Sequence, residues 1–154
     1  MFVKMDQCSL YVFIDRSVDT YALIVVEERN LPSLRRGLKW VVHFKKLSRR
    51  EEKSFLGAFR RRFRKVMRYL TYSRLMYSPE EIHRFLSSLN LVKYTIYCDD
   101  SLSKWLKRKG YRVIPESRTP SNLRSLMLLV DNLANYSRIM HKKGKLEKIR
   151  ELVK

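Results

Sequence analysis

Leu10-Tyr11-Val12-Phe13-Ile14-Asp15 and Tyr94-Thr95-Ile96-Tyr97-Cys98-Asp99 are the stretches whose reading decides the fold. Each is a β-prone run closed by an acid. After a polar turn at Arg16–Asp19, Tyr21–Val26 reads as a second strand, Leu31–Gly37 as a loop and Trp40–Phe44 as a third strand. Three strands with short connections suggest an antiparallel meander. Tyr94–Cys98 and Tyr111–Ile114 follow as strands four and five. A short helix joins them, capped by Ser101, carrying Trp105 and Leu106 and closed by Gly110. Strands joined by a helix run parallel.

Three further helices cover this sheet. Ser48-Arg49-Arg50-Glu51 is a capping box, and Phe55, Phe59, Phe63, Val66, Met67 and Leu70 follow at helical spacing. Ser78-Pro79-Glu80-Glu81 opens a short helix with proline at its first position. Thr119-Pro120 opens a long one, with Leu123, Leu126, Met127, Val130, Leu133 and Ala134 at core spacing; Gly144 breaks it ahead of a basic helical tail at about 142–154. The expected fold is therefore α/β, in one domain over residues 1–154. Its mixed five-stranded sheet holds a three-strand antiparallel meander and two parallel strands, flanked by helices.

Charge narrows the partner. The 154 residues carry 34 Lys and Arg against 15 Asp and Glu, a net +19, which favours a polyanion. Arg60, Arg61, Arg62, Arg64, Lys65 and Arg68 crowd one helix without acidic partners four residues away, so a phosphate backbone is a better explanation than solvation alone. Lys142 and Lys143 extend the basic surface. Tyr69, Tyr72, Tyr77 and Trp105 could stack bases, although aromatics at such spacing commonly pack in a core. No apolar run spans a bilayer and no secretory-signal pattern is seen, so no membrane partner and a cytoplasmic location are expected. Gln7 is the only glutamine, which fits a thermophile's avoidance of labile amides. His43, His83 and His141 are not spaced with Cys8 and Cys98 as zinc ligands are. No Walker loop, GxGxxG or Ser/His/Asp arrangement is present.

Acids are scarce, so their positions inform. If strands one and four are parallel neighbours, Asp15 and Asp99 sit about 5 Å apart, an oxygen-rich pair suited to Mg²⁺ or Mn²⁺. The helix after Ser48 is expected to start at the same edge and nominates Glu52, which lies nearer the apolar stripe than Glu51. Asp131, between Val130 and Leu133, is the fourth candidate, and Asp100 stands beside Asp99. Each acid also has a structural explanation: Asp15 and Asp99 as turn or cap residues, Glu52 as a first-turn residue, Asp131 as the partner of a buried cation. A helix beginning at Pro120 would carry Asp131 roughly 16 Å along its axis, far for a shared site.

The pattern resembles the ribonuclease-H-like superfamily over roughly Leu10 to Tyr136. The resemblance is carried by the three-strand opening, Phe13-Ile14-Asp15 with Ser17, Tyr97-Cys98-Asp99-Asp100, and Ser125-Leu126-Met127-Leu128-Leu129-Val130-Asp131-Asn132-Leu133-Ala134. The last stretch is similar to the final helix of an uncharacterised prokaryotic family in that superfamily. That family's first strand usually reads Asp-Glu-Ser-Gly, where this chain has Asp15-Arg16-Ser17-Val18. The resemblance implies a metal-dependent nuclease in which Asp15, Glu52, Asp99 (or Asp100) and Asp131 bind two divalent ions for phosphodiester hydrolysis. The alternative is a DNA- or RNA-binding protein that keeps the fold without catalysis, such as a ribonucleoprotein subunit or genome-associated factor. Arg16 leans toward it, since a cation beside Asp15 could replace the metal. Docking on an acidic protein is a third reading.

The strand order also bears on the cysteines. With Asp15 level with Asp99, Cys98 is level with Ile14 and Cys8 lies six residues further down the strand, roughly 20 Å away. A disulfide needs Cα atoms within about 7 Å. Thiol titration under denaturing, non-reducing conditions should find two free thiols; a Cys8–Cys98 bridge would mean that the two strands are not parallel neighbours.

Overall fold

The computed structural model describes residues 9–154. Its sheet is built from β1 (Leu10–Ser17), β2 (Thr20–Glu27), β3 (Tyr72–Met76), β4 (Tyr94–Cys98) and β5 (Val113–Pro115) in the order β3-β2-β1-β4-β5. β1, β2 and β3 are antiparallel; β4 runs parallel to β1, and β5 parallel to β4. The register pairs Ile14 with Cys98, as the matching strand ends predict, and Cys98 with Pro115. Cys98 is a buried free thiol, whereas Cys8 lies outside the described residues.

Alternation along the strands feeds two cores. Phe13, Ala22, Ile24 and Tyr97 face α1 (Leu31–Arg36), α2 (Arg49–Val66) and α5 (Arg124–Lys142). Val12, Ile14, Leu23 and Ile96 face α3 (Pro79–Ser88) and α4 (Asp100–Arg108). A strand covered on both sides reads as a continuous apolar run, which is why Tyr21–Val26 lacks polar alternation. Phe59 is the hub of the larger core, with its ring centroid 4.8 Å from that of Tyr136 and 5.7 Å from that of Trp40. Burying a side chain of this size contributes about 1.5–3 kcal/mol. Among the described residues no helix is long and apolar enough to cross a membrane.

Trp40–Phe44 is not a strand. It is an irregular segment leading into a 3₁₀ turn at Phe44–Lys46, and the backbone groups of Val42 and the N–H of Phe44 bond to side chains of α5. The Asn132 amide imitates a strand neighbour: its Oδ1 accepts from Val42 N–H at 3.1 Å and its Nδ2 donates to Val42 C=O at 2.7 Å. With those groups satisfied, the segment has no need of a ladder. The third antiparallel strand is instead Tyr72–Met76, after α2. Its outer edge is closed by the last residues, where Ser73 N–H donates to Lys154 C=O and Lys154 N–H to Ser73 C=O. That closure protects an edge strand from pairing elsewhere.

The other departures are local. Residues 31–36 form a helix rather than a loop, with Pro32 in its first turn and Gly37 at its end, the usual asymmetry of helix punctuation. Asp99, not Ser101, caps α4. Tyr111 N–H bonds back to Leu106 C=O, which delays β5 to Val113. The long helix starts at Arg124, after a 3₁₀ turn at Ser121–Leu123, so Asp131 is only seven residues, roughly 10 Å, from its first turn.

The β1–β2 turn is tight: Ser17 pairs with Thr20, leaving Val18 and Asp19. Val18 holds φ of 58° and is exposed. A β-branched residue there is strained by roughly 1–2 kcal/mol, while glycine would fit at an entropic cost of about 0.5–1 kcal/mol. Val18→Gly should therefore raise stability by about 0.5–1 kcal/mol in chemical denaturation; a loss of stability would mean that the Val18 conformation is not strained.

Candidate functional site

The parallel pairing ends at the row Ile14–Cys98–Pro115, and each of these residues is followed by an acid: Asp15, still within β1 and paired with Ala22, Asp99 after β4 and Glu116 after β5. These acids form a row across β1, β4 and β5. Asp131 joins them from α5, the helix that covers this face. Its charge raises the pKa values of both Asp15 and Glu116.

Asp15 lies on the Phe13 face of β1, turned toward α5, and is 8% exposed. Burial pushes its carboxyl up to about 8, with smaller contributions from Glu116, Asp131 and Asp99. One bond resists the shift, a 2.8 Å donation from Arg16 N–H to Asp15 Oδ1. The Arg16 side chain does not neutralise it. Its Nε donates to Val18 C=O and its guanidinium lies over the Tyr21 ring. The lean that Arg16 gave toward a metal-free site therefore loses its basis.

Asp99 divides its work. Oδ1 caps α4, accepting from Leu102 N–H at 2.9 Å and Ser101 Oγ at 3.0 Å. Oδ2 is buried without a hydrogen-bond partner. An orphan carboxylate oxygen is costly and suits a cation. Asp100 lies in the first turn of α4, exposed, and adds repulsion at Glu116. Glu116 opens a 3₁₀ turn; burial raises its pKa first, then Asp131 and Asp99, and His43 opposes them.

Asp131 is held by hydrogen bonds, and among the described residues no buried cation pairs with it. Oδ2 accepts from Phe44 N–H at 3.4 Å and Asn132 Nδ2 at 3.3 Å; Oδ1 accepts from Asn135 Nδ2 at 3.1 Å. Burial still raises its pKa, against the Phe44 N–H bond and the charge of His43. Asn135 Oδ1 in turn accepts from Ser17 Oγ at 2.7 Å, and Arg138 Nε donates to Ser17 Oγ. This chain ties α5 to the end of β1 and fixes Asp131 relative to Asp15.

Glu52 does not join them. It is partly exposed in the first turn of α2 and is not among the charges that shift Asp15, Glu116 or Asp131. Its nomination depended on a third strand at Trp40–Phe44 delivering α2 to this edge. The irregular segment there brings His43 and Lys45 toward Asp131 instead. Glu116 was legible in the same signal that marked Asp15 and Asp99, an acid directly after a strand, but the strand was placed one residue short of Pro115. Among the described residues no three His, Cys, Asp or Glu side chains are close enough together to hold a metal ion unaided.

The basic helix is split by its periodicity. Arg60 and Arg64 turn toward Glu151, with N···O distances of 3.5 and 3.9 Å, an acidic partner too distant in sequence for helical spacing to reveal. Arg62, Lys65 and Arg68 line a depression with Trp40 and Tyr69, and Arg61 is exposed. Lys142 and Lys143 are exposed at the end of α5. Of the other aromatics, Tyr72 packs on Phe85, Trp105 on His83, and Tyr77 lies against His141.

No protein-family model, curated protein or solved structure matches the chain.

The shift at Asp15 links stability to pH. The native state keeps this proton up to about pH 8, and the unfolded chain releases it near pH 4. The contribution of Asp15 to stability therefore falls as pH rises from about 4 to 8. Asp15→Asn, which has no such proton, should gain on wild type by on the order of a few kcal/mol between pH 4 and pH 8 in urea unfolding. A difference that does not change with pH would mean that Asp15 ionises normally.

Proposed function

We propose that this protein binds nucleic acid and that its row of strand-end acids is the centre of a divalent-metal-dependent phosphodiesterase of the ribonuclease-H-like kind. The observation that carries this reading is the convergence of Asp15, Asp99, Glu116 and Asp131 at one sheet edge in a chain of net charge +19 with only 15 acids. Like charges gathered out of water are unfavourable without a compensating cation. The place of β1 beside β4 in the sheet and the acid on α5 support this reading.

The donors suit the ion. All are hard oxygens, one of them the buried orphan Oδ2 of Asp99. Mg²⁺ commonly takes only one or two carboxylates and completes its shell with waters and substrate phosphate, so the want of a three-residue cage does not disqualify the site. Asp15 and Asp99 would hold the ion, with Glu116 and Asp131 adding negative potential. Bound there, Mg²⁺ or Mn²⁺ supplies Lewis acidity at a phosphoryl oxygen and lowers the pKa of water. The chain's own part is positional: the Ser17–Asn135–Asp131 chain fixes the acids, and the basic surface holds the backbone.

A second reading, binding without cleavage, is favoured by one observation. Both oxygens of Asp131 are already engaged by the protein's own N–H groups.

Incubating labelled DNA and RNA with the protein and Mn²⁺ separates the two. Metal-dependent cleavage that Asp15→Asn and Asp99→Asn each reduce by about 100-fold or more, with binding retained, supports the first reading. Salt-sensitive binding with no metal-dependent product supports the second. Calorimetry gives an independent measure: Mn²⁺ binding at pH 7 should release a proton from Asp15 in wild type but not in Asp15→Asn.

A further inference from the structure

The basic side of the molecule is concave. A depression of about 520 Å³ lies between the end of α1 and the C-terminal half of α2, lined by Arg36, Arg62, Lys65, Arg68, Trp40 and Tyr69. No acid lines it. Arg36 also lines an adjoining depression of about 450 Å³ beside Arg35, Lys39 and Asn122, so positive charge continues toward the start of α5.

The wall is built by close packing. A Cβ at Gly37 would stand 2.9 Å from Val66 Cγ1, so the glycine lets the end of α1 rest against α2. The Trp40 indole is fixed there, its Nε1–H donating to Gly37 C=O at 2.7 Å, while its ring stays partly exposed. Tyr69 is also partly exposed, with the Arg68 guanidinium over its ring at 4.8 Å. Planar groups and cations thus share one cavity of a size that takes a small ligand.

We propose that this cavity seats an unpaired nucleotide of single-stranded nucleic acid, with Arg36, Arg62 and Lys65 on the flanking phosphates and the base against the Tyr69–Arg68 and Trp40 planes. The proposal rests on the nucleic-acid reading above and narrows it. A duplex keeps its bases stacked and presents phosphate and groove edges, which would leave recessed aromatic rings idle. An unpaired base exposes a π-face that aromatic and guanidinium planes accept, with cations tracking the backbone. The cavity combines both kinds of group.

The test uses fluorescence anisotropy with a short labelled oligothymidylate and with a labelled duplex of equal length. Tyr69→Leu should weaken single-strand binding about tenfold or more and leave duplex binding unchanged, while Tyr69→Phe, which keeps the ring, retains it. Arg62→Ala with Lys65→Ala should lower the salt slope for single strands by about 1.4. Arg84→Ala with Lys104→Ala, exposed positions on the α3/α4 side, should change nothing. Should Tyr69→Leu fail to fold, Trp40 emission in a Trp105→Phe background supplies the second readout, and quenching by the single strand but not the duplex is expected. Equal losses for single strand and duplex overturn the proposal in favour of a phosphate-only surface. Steep, salt-dependent wild-type binding that the cavity variants leave intact overturns the cavity but spares the nucleic-acid reading. If wild type binds neither oligonucleotide at low salt, that reading fails and the proposal fails with it.

Discussion

The parallel ladder between β1 and β4, in the register that sets Ile14 beside Cys98, is the constraint on which the rest depends. It makes β1 a central strand, buries Phe13 and Ile14 on opposite faces, and sends the two ends into one row. A slip of one residue would turn Asp15 from the α5 side to the α3/α4 side, among Val12, Ile14, Leu23 and Ile96 of the second core. The apolar pattern of two strands thereby determines where a set of carboxylates can meet.

What surrounds the row combines cost and compensation. Asp15 is desolvated, Asp99 keeps an orphan oxygen, and Glu116 and Asp131 are pushed toward their neutral forms. Hydrogen bonds from Asn132 and Asn135 hold the layer together. A fold optimised for stability alone would not concentrate acids there, and departures of that kind are expected where a protein keeps a site. Strand-end acids and the basic depression lie on the same α1/α2/α5 side of the sheet.

The sequence made legible much that depends on local pattern: β1, β2 and β4, the capping box of α2, the Ser78-Pro79 helix start and the level placement of Asp15 with Asp99. Long-range substitution hid most of the rest, though the helix at residues 31–36 and the Asp99 cap are local features that the pattern also left open. Trp40–Phe44 has strand composition, yet its partner is the side chain of Asn132, ninety residues away. Tyr72–Met76 contains Ser73 and Arg74 and shows weak strand character; it becomes a strand because β2 and the last residues offer it two edges. Glu52 stays apart from the site for this reason, whereas Glu116 is hidden by something local, the extension of β5 one residue beyond Ile114 to Pro115. The Glu151 partner of Arg60 and Arg64 is equally remote in sequence.

The β1–β4 ladder also has a kinetic meaning. Its partners, such as Leu10 and Tyr94, are more than eighty residues apart, so the contact order of this pairing is high and its loop-closure entropy must be met before the ladder forms. The β1–β2 hairpin and α2 close over short distances and can form early. The cationic helix is thus a property of a fragment, whereas the row of acids exists only in the finished fold. A chain stalled before β4 docks would offer positive charge to polyanions without the carboxylates that distinguish the native surface.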